Sequence, residues 1–295
     1  MNDFIVWFIK ANIIYGGLLG VAAGMTLAER KISAWIQYRV GPNRVGPWGV
    51  LQPIADGVKF FFKEELVPPG ANKWLFLFAP AMVAIPAMLT VAVVPFGPEI
   101  TLFGTTTNIS LTDLDIGAIY IVALAGLGVY GIILGGWASN SKYSLIGGLR
   151  ASAQMISYEL SLILAIMTVI LFSGTMDLRQ IVMAQDDGFF LTNWNVFKMP
   201  GVGFVAFILF VICSFAETNR HPFDFAECEP ELVGGFHTEY SSMKFALFFL
   251  GEYCAMIVMA CMTVTLFLGG FSVPFVPGAE WWLAVPAFLL KTSFF

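Results

Sequence analysis

Residues 114–137 read LDIGAIYIVALAGLGVYGIILGGW. Past Asp115 no side chain in the run is charged. The run is long enough to supply the roughly 20 apolar residues that a helix needs to cross a bilayer. Comparable stretches recur at 4–28, 73–95, 155–174, 200–217 and 243–268, and a seventh begins near Trp281 and is cut off by the chain end at Phe295. The expectation is an all-α polytopic membrane protein. It forms a single domain over 1–295, with six complete transmembrane helices and a partial seventh (281–295) too short to span alone. The first stretch has no basic leader region and no small-residue cleavage site after it, so it reads as a span rather than a signal peptide.

Composition supports this reading. Of 295 residues, 58% are hydrophobic and only 12% charged, where soluble domains average about 45–50% and about 25%. So few charges cannot cover a soluble surface without large apolar patches; a lipid-facing surface accounts for the excess. The net charge of −5 offers no basic patch for nucleic acid. Four cysteines, Cys213, Cys228, Cys254 and Cys261, show no CxxC spacing. Three lie in apolar stretches and read as buried free thiols. Within the quoted run, GLGVYG at 126–131 matches GxGxxG, but no strand precedes it. Its glycines, like Gly16, Gly20 and Gly24 in the first span, are read as allowing close helix packing.

Lys and Arg set the orientation. The connection after the first span carries Arg30, Lys31, Arg39, Arg44, Lys59 and Lys63, the third Lys142 and Arg150, and the fifth Arg220 with Lys244 at its edge. The alternate connections hold only Arg179 and Lys198. Six crossings then place the N-terminus outside and the long loops 29–72 and 218–243 in the cytoplasm. In 51–63, Leu51, Ile54, Ala55, Val58, Phe61 and Phe62 recur at helical spacing opposite Gln52, Asp56, Lys59 and Lys63, which predicts an interfacial amphipathic helix. Residues 176–185 are expected to do the same on the outer side.

Ionisable groups inside spans mark pathways or paired sites. Lys10, Glu159, Glu252 and Lys291 are such groups, with Glu217 at a span's inner end. Glu252 and Lys291 both fall near the midplane and are expected to pair, either as a fixed register or as part of a proton path. Loop 217–239 holds Glu217, Asp224, Glu227, Glu229, Glu231 and Glu239 against a single Arg220, interleaved with Phe223, Phe225, Leu232, Val233 and Phe236. Carboxylates crowded in low dielectric raise one another's pKa values and titrate together. The bland reading is a solvated acidic loop. No His or Cys pattern supports a metal site. In loop 29–65, Arg30, Lys31, Arg39 and Arg44 alternate with Trp35, Tyr38 and Trp48. These either anchor the chain at the interface or line a cavity for a quinone, whose carbonyls need donors and whose ring needs apolar walls. Both histidines, His221 and His237, lie in a loop rather than a span, so no haem pattern is present, and the cysteines are not grouped for an iron–sulfur cluster.

Three stretches carry a resemblance: AERKISAWIQYRVGPNRVGPWGVLQPIADGVKFFFKEE at 28–65, RASAQMISYELSL at 150–162 and AETNRHPFDFAECEPELVGGFHTEYSSMKFALFFLGEY at 216–253. They resemble one membrane subunit of respiratory complex I, called the H subunit in bacteria and belonging to the NADH dehydrogenase subunit one family. The resemblance runs along nearly all of the chain. It implies a subunit of a proton-translocating NADH:quinone oxidoreductase, joining a peripheral electron-carrying arm to the membrane arm. Glu29, Arg30, Arg39, Asp56 and Lys59 would then belong to the quinone chamber. Glu159, Glu217, Asp224, Glu227, Glu229, Glu231 and Glu252 would handle protons, with Arg220 balancing them. Quinone would be the substrate. NADH, FMN and the iron–sulfur clusters would sit in partner subunits of the peripheral quinone module and membrane arm, leaving no cofactor or redox centre on this chain. A bacterial inner membrane is expected in preference to a mitochondrial one. Two departures stand out: His221 replaces a small residue usual in the motif, and the chain stops within the seventh span where the family continues. The alternatives are the corresponding subunit of a membrane-bound hydrogenase or ferredoxin-linked complex, a cation/proton transporter, or a structural membrane scaffold.

Overall fold

The computed structural model of the chain describes residues 2–102, 104–186, 192–224, 234–274, 276 and 278–295. Helices dominate: α1 (Asn2–Ile36), α2 (Gln52–Phe62), α3 (Lys73–Thr90), α4 (Gly117–Ala138), α5 (Lys142–Ser173), α6 (Leu178–Asp186), α7 (Asn195–Lys198), α8 (Val202–Glu217), α9 (Ser242–Phe267) and α10 (Trp281–Thr292). Among the described residues, five helices are long and apolar enough to cross a membrane: α1, α3, α4, α5 and α9. The expected span at 200–217 is a 16-residue apolar helix, α8. At 1.5 Å per residue it rises about 24 Å, short of the about 30 Å hydrocarbon core.

Two helices outrun their apolar stretches. α1 continues to Ile36 and α5 begins at Lys142, where hydropathy suggested limits of 28 and 155. Hydropathy marks where a helix meets water, whereas the backbone bonds continue for as long as no residue breaks them. Glu29, Arg30 and Arg150 therefore ride on helices rather than loops. The all-α expectation also needs correcting. Glu99–Leu102 (β1) and Thr105–Asn108 (β2) form an antiparallel hairpin pairing Glu99 with Asn108. The threonines at 105–107 suit a strand, and Gly104 supplies a φ of +84° in the turn.

α3 packs between α4 and α9. A Cβ at Gly131 of α4 would lie 2.5 Å from a Val83 methyl and 3.0 Å from the Ala79 carbonyl, so glycine sets that approach. Of the other glycines in 126–131, Gly126 faces the Glu159 carboxylate and Gly128 faces open space. The expected packing role of Gly16, Gly20 and Gly24 does not hold within this chain: nothing lies within 4 Å of a Cβ at any of them. α1 lies at the margin, with only 11% of its apolar window buried. It meets the bundle through Ile14, Tyr15 and Leu18. The central core joins Ile121, Leu162, Phe210, Cys254 and Met262. A second cluster, Phe76, Ile132, Met155, Phe236, Tyr240 and Phe248, closes one end, where Tyr240 stacks on Phe76 at 4.0 Å. Val94, Val182, Phe271 and Phe288 close the opposite end. Cys213, Cys254 and Cys261 are buried free thiols, as expected.

The two short helices diverge. α2 buries no residue, and Ile54, Val58, Phe61 and Phe62 stand exposed on one face, as an amphipathic helix whose apolar face meets no protein surface requires. α6 forms where a second interfacial helix was expected, but Leu178, Ile181 and Val182 are fully buried. Its apolar face packs into the protein, because α9 offers a nearer apolar surface.

Candidate functional site

The site begins where α8 ends. After Glu217 the chain reverses through Asn219, whose φ is +52°. Gln154 of α5 pins this turn by donating from Nε2 to the carbonyls of Ala216 (3.2 Å) and Phe223 (2.7 Å). The reversal places Arg220 between α1 and α9. Its Nη1 lies 2.9 Å from Glu29 Oε1 and its Nε 2.8 Å from Glu252 Oε1. The guanidinium sits 4.9 Å from the centre of the Tyr253 ring, and the Tyr253 hydroxyl donates to Glu29 Oε2 at 2.6 Å. Burial alone would lower the Arg220 pKa. Glu252 first, then Tyr253 and Glu29, reverse this and hold it above its ordinary value.

Behind this ion pair a cavity of about 80 Å³ opens between α3, α4 and α9. Its walls are mostly apolar, with polar groups from Glu217, Thr218, Asn219, His237 and Glu252. Glu217 is only 6% exposed, and its Oε2 has no protein partner. Glu217 also lines a second, much smaller cavity of about 10 Å³ on the far side, shared with Glu159. Gly126 leaves the room that the Glu159 carboxylate occupies; a Cβ there would lie 2.9 Å from Oε1. One buried carboxyl thus stands between two cavities, with a second carboxyl on the inner one. A buried polar atom without a protein partner in a cavity with room for water is satisfied by water.

Loop 29–72 is fastened to the same end of the bundle. The Ser242 hydroxyl bonds the carbonyls of Phe60 (2.8 Å) and Lys63 (2.9 Å). Lys244, 6% exposed, pairs with Glu65 at 3.3 Å. Arg30 pairs with Asp56 at 2.5 Å, and Lys59 lies 3.9 Å from the same carboxylate. Trp35, Tyr38 and Trp48 stand largely exposed beyond them.

The family model for NADH dehydrogenase matches residues 9–295. This chain belongs to the NADH dehydrogenase family. Among its curated relatives is NADH-quinone oxidoreductase H subunit 1 of Solibacter usitatus, 51% identical over 294 residues, covering 99% of this chain and 73% of the relative. NADH-quinone oxidoreductase H subunit 2 of Geobacter metallireducens is 50% identical over 304 residues, covering 99% and 86%. The Leptospira biflexa counterpart is 46% identical over 303 residues, covering 99% and 83%.

For this NADH dehydrogenase family member, the structure gathers Glu29, Glu217, Glu252 and Arg220 in one region and sets Glu159 behind them. Asp224 lies beside His221, with Oδ2 3.7 Å from Nε2. Arg30, Asp56 and Lys59 form their own cluster between α1 and α2. Arg39 does not join either group; its Nε donates to Gln37. Glu227, Glu229 and Glu231 lie outside the described residues. The expected Glu252–Lys291 pair does not form. Glu252 faces Arg220, whereas Lys291 donates to the carbonyls of Leu268, Gly270 and Ser272 at 2.7–3.0 Å. Depth along two helices does not fix which faces meet. Tyr253, Gln154 and Lys244 went unmarked in the sequence as site residues. Their contacts join positions 62 to 224 residues apart; only the presence of all three inside the motif stretches, and of Lys244 among the charges that set orientation, pointed to them.

Proposed function

We propose that this chain is a membrane-arm subunit of a proton-translocating NADH:quinone oxidoreductase, with loops 29–65 and 217–240 helping to wall the quinone chamber. The observation that carries this reading is Glu217, buried between two cavities with a carboxylate oxygen unpartnered. Beside it stands the Glu29–Arg220–Glu252 ion pair, which joins α1, the 218–224 turn and α9. Electrons reach the quinone from partner subunits holding NADH, FMN and iron–sulfur clusters. The names of the relatives supply the NADH and quinone context, and this chain supplies no redox centre. Reduction of a quinone to a quinol takes up protons. The carboxylates of the loops answer that demand, and Glu217 and Glu159 pass the change in protonation inward. A carboxyl in an apolar cavity suits the task, because neither of its protonation states is locked by a fixed counter-ion.

In this reading the chain sits in a bacterial inner membrane as a multi-pass protein with its N-terminus outside, and contacts the peripheral quinone module and the rest of the membrane arm. The test is Glu217→Gln in the assembled complex reconstituted in vesicles. Quinone reduction and proton uptake are expected to fall at least about tenfold, the scale of a lost proton-transfer group, while NADH oxidation by a hydrophilic acceptor persists. Normal quinone turnover and normal pumping in this variant would overturn the proposal.

A further inference from the structure

The cavity beside Glu217 contains a group that the carboxylate path leaves unused. His237, in the loop before α9, lines the same cavity as Glu217, Asn219 and Glu252. Its Nδ1 is shut off from solvent and has no hydrogen-bond partner. Two more orphaned atoms belong to residues on that wall: Glu217 Oε2 and Asn219 Oδ1. Asp224, whose side chain is 11% exposed, carries a fourth at Oδ1. Three of these unpartnered atoms belong to residues lining one space that admits several waters, and the fourth is on Asp224, near enough to act on the ring; together they describe a hydrated path rather than a set of independent packing faults.

The imidazole is held in place by rings. Phe236 meets it edge-on at 5.3 Å, and Phe245 and Phe249 of α9 approach at 5.5 and 6.2 Å. The charged or titratable groups facing this region are Asp224 from the 218–224 turn, Glu217 from the end of α8 and Glu252 from α9; α3 and α4 line the cavity with no titratable side chain among the described residues. Burial among the rings pushes the imidazole below its usual range, and Asp224 pulls weakly the other way. A carrier that is neutral at rest and able to bind a proton briefly is what such surroundings make.

We propose that His237 is the proton relay between Asp224 and Glu217, working through water in the cavity. The inference rests on the proton-coupling reading above. In the transfer, one carboxyl O–H bond on Glu217 breaks and one on Asp224 forms. Water carries the proton to the ring, and the imidazole passes through its cationic form and returns to neutral. No electrons move. The reverse direction uses the same atoms.

The experiment compares His237→Gln, Glu217→Gln and the unaltered complex in vesicles. It follows NADH:quinone turnover against pH, with acceptor-linked NADH oxidation as the measure of intact complex. For H237Q, kcat is expected to fall about tenfold, less than for direct acid–base catalysis because water still bridges in part. The KM for quinone should stay unchanged. The unaltered complex should also lose turnover as pH drops below 6.5, where the ring becomes charged, and that limb should vanish in H237Q. A ring that serves only packing would shift the amount of complex and leave the pH profile alone. If H237Q fails to assemble, Asp224→Asn on the other side of the relay must show the same kcat loss. Normal turnover and an unchanged profile in H237Q, with E217Q impaired, would sink the relay and leave the coupling reading standing. Normal behaviour of both variants would sink both.

Discussion

Arg220 is the residue on which two distant parts of the chain converge: Glu29 in the C-terminal part of α1, and Glu252 with its neighbour Tyr253 on α9. Removing Arg220 takes the counter-ion from Glu252, whose side chain is 13% exposed, while the half-exposed Glu29 keeps its bond from Tyr253, so the cost is at most about 3 kcal/mol. R220M should therefore lower the unfolding temperature of the purified complex. Adding E252Q should recover part of the loss, since it removes the more buried of the two carboxylates that lost the arginine; a double-mutant cycle reads the coupling. Much of this was legible in the sequence. Acids inside spans are costly enough to be noticed, which singled out Glu159, Glu217 and Glu252, and the lone arginine in an acidic loop singled out Arg220. The partner of each was not legible. Glu252 and Lys291 lie at matching depths, yet Lys291 satisfies its ammonium with three backbone carbonyls and stacks on Trp194 at 4.4 Å. Which way a side chain points is set by helix rotation, and rotation is set by packing.

At the scale of elements, helix existence was plain and helix function was not. α2 and the 176–185 segment share an amphipathic pattern, but one leaves its apolar face bare and the other buries it against the bundle. Glycines separate in the same way. Gly57 in α2 has nothing within 4 Å of a Cβ, and Gly131 in α4 has Val83 at 2.5 Å. G57A should be neutral or add up to about 1 kcal/mol of helix stability. G131A must push α3 and α4 apart and should lower the yield of folded protein. The two alanine variants, measured by thermal melting in one detergent, make a direct comparison. If G131A were as stable as the parent, the close α3–α4 approach would be wrong.

At the scale of the molecule, the loops assigned to the inner side by their lysines and arginines come together at one end. Ser242 and Lys244 meet loop 29–72 there. The hairpin 99–108 sits at the opposite end, where Lys10 Nζ donates to Thr107 Oγ1 at 2.8 Å and the Asn108 carbonyl at 2.9 Å, and Arg179 pairs with Glu99. Orientation follows as a prediction. In a background lacking reactive cysteines, T106C should react with an impermeant thiol reagent from outside intact cells, and K63C only from the inner side. The reverse pattern would invert the assigned topology.

The sequence by itself determined that this chain belongs in a membrane as a helical bundle, because hydrophobicity over about 20 residues is a local property that no distant contact can undo. It also determined the family, through motifs that lie contiguous along the chain, and the acids that a bilayer tolerates only at cost. The tertiary structure decided which of those acids share a cavity, that Arg220 rather than Lys291 answers Glu252, and that His237 stands on the wall beside Glu217. Those outcomes depend on the rotation and crossing of helices from separate parts of the chain. They are fixed only when the packed faces of α3, α4, α5, α8 and α9 exclude every other arrangement.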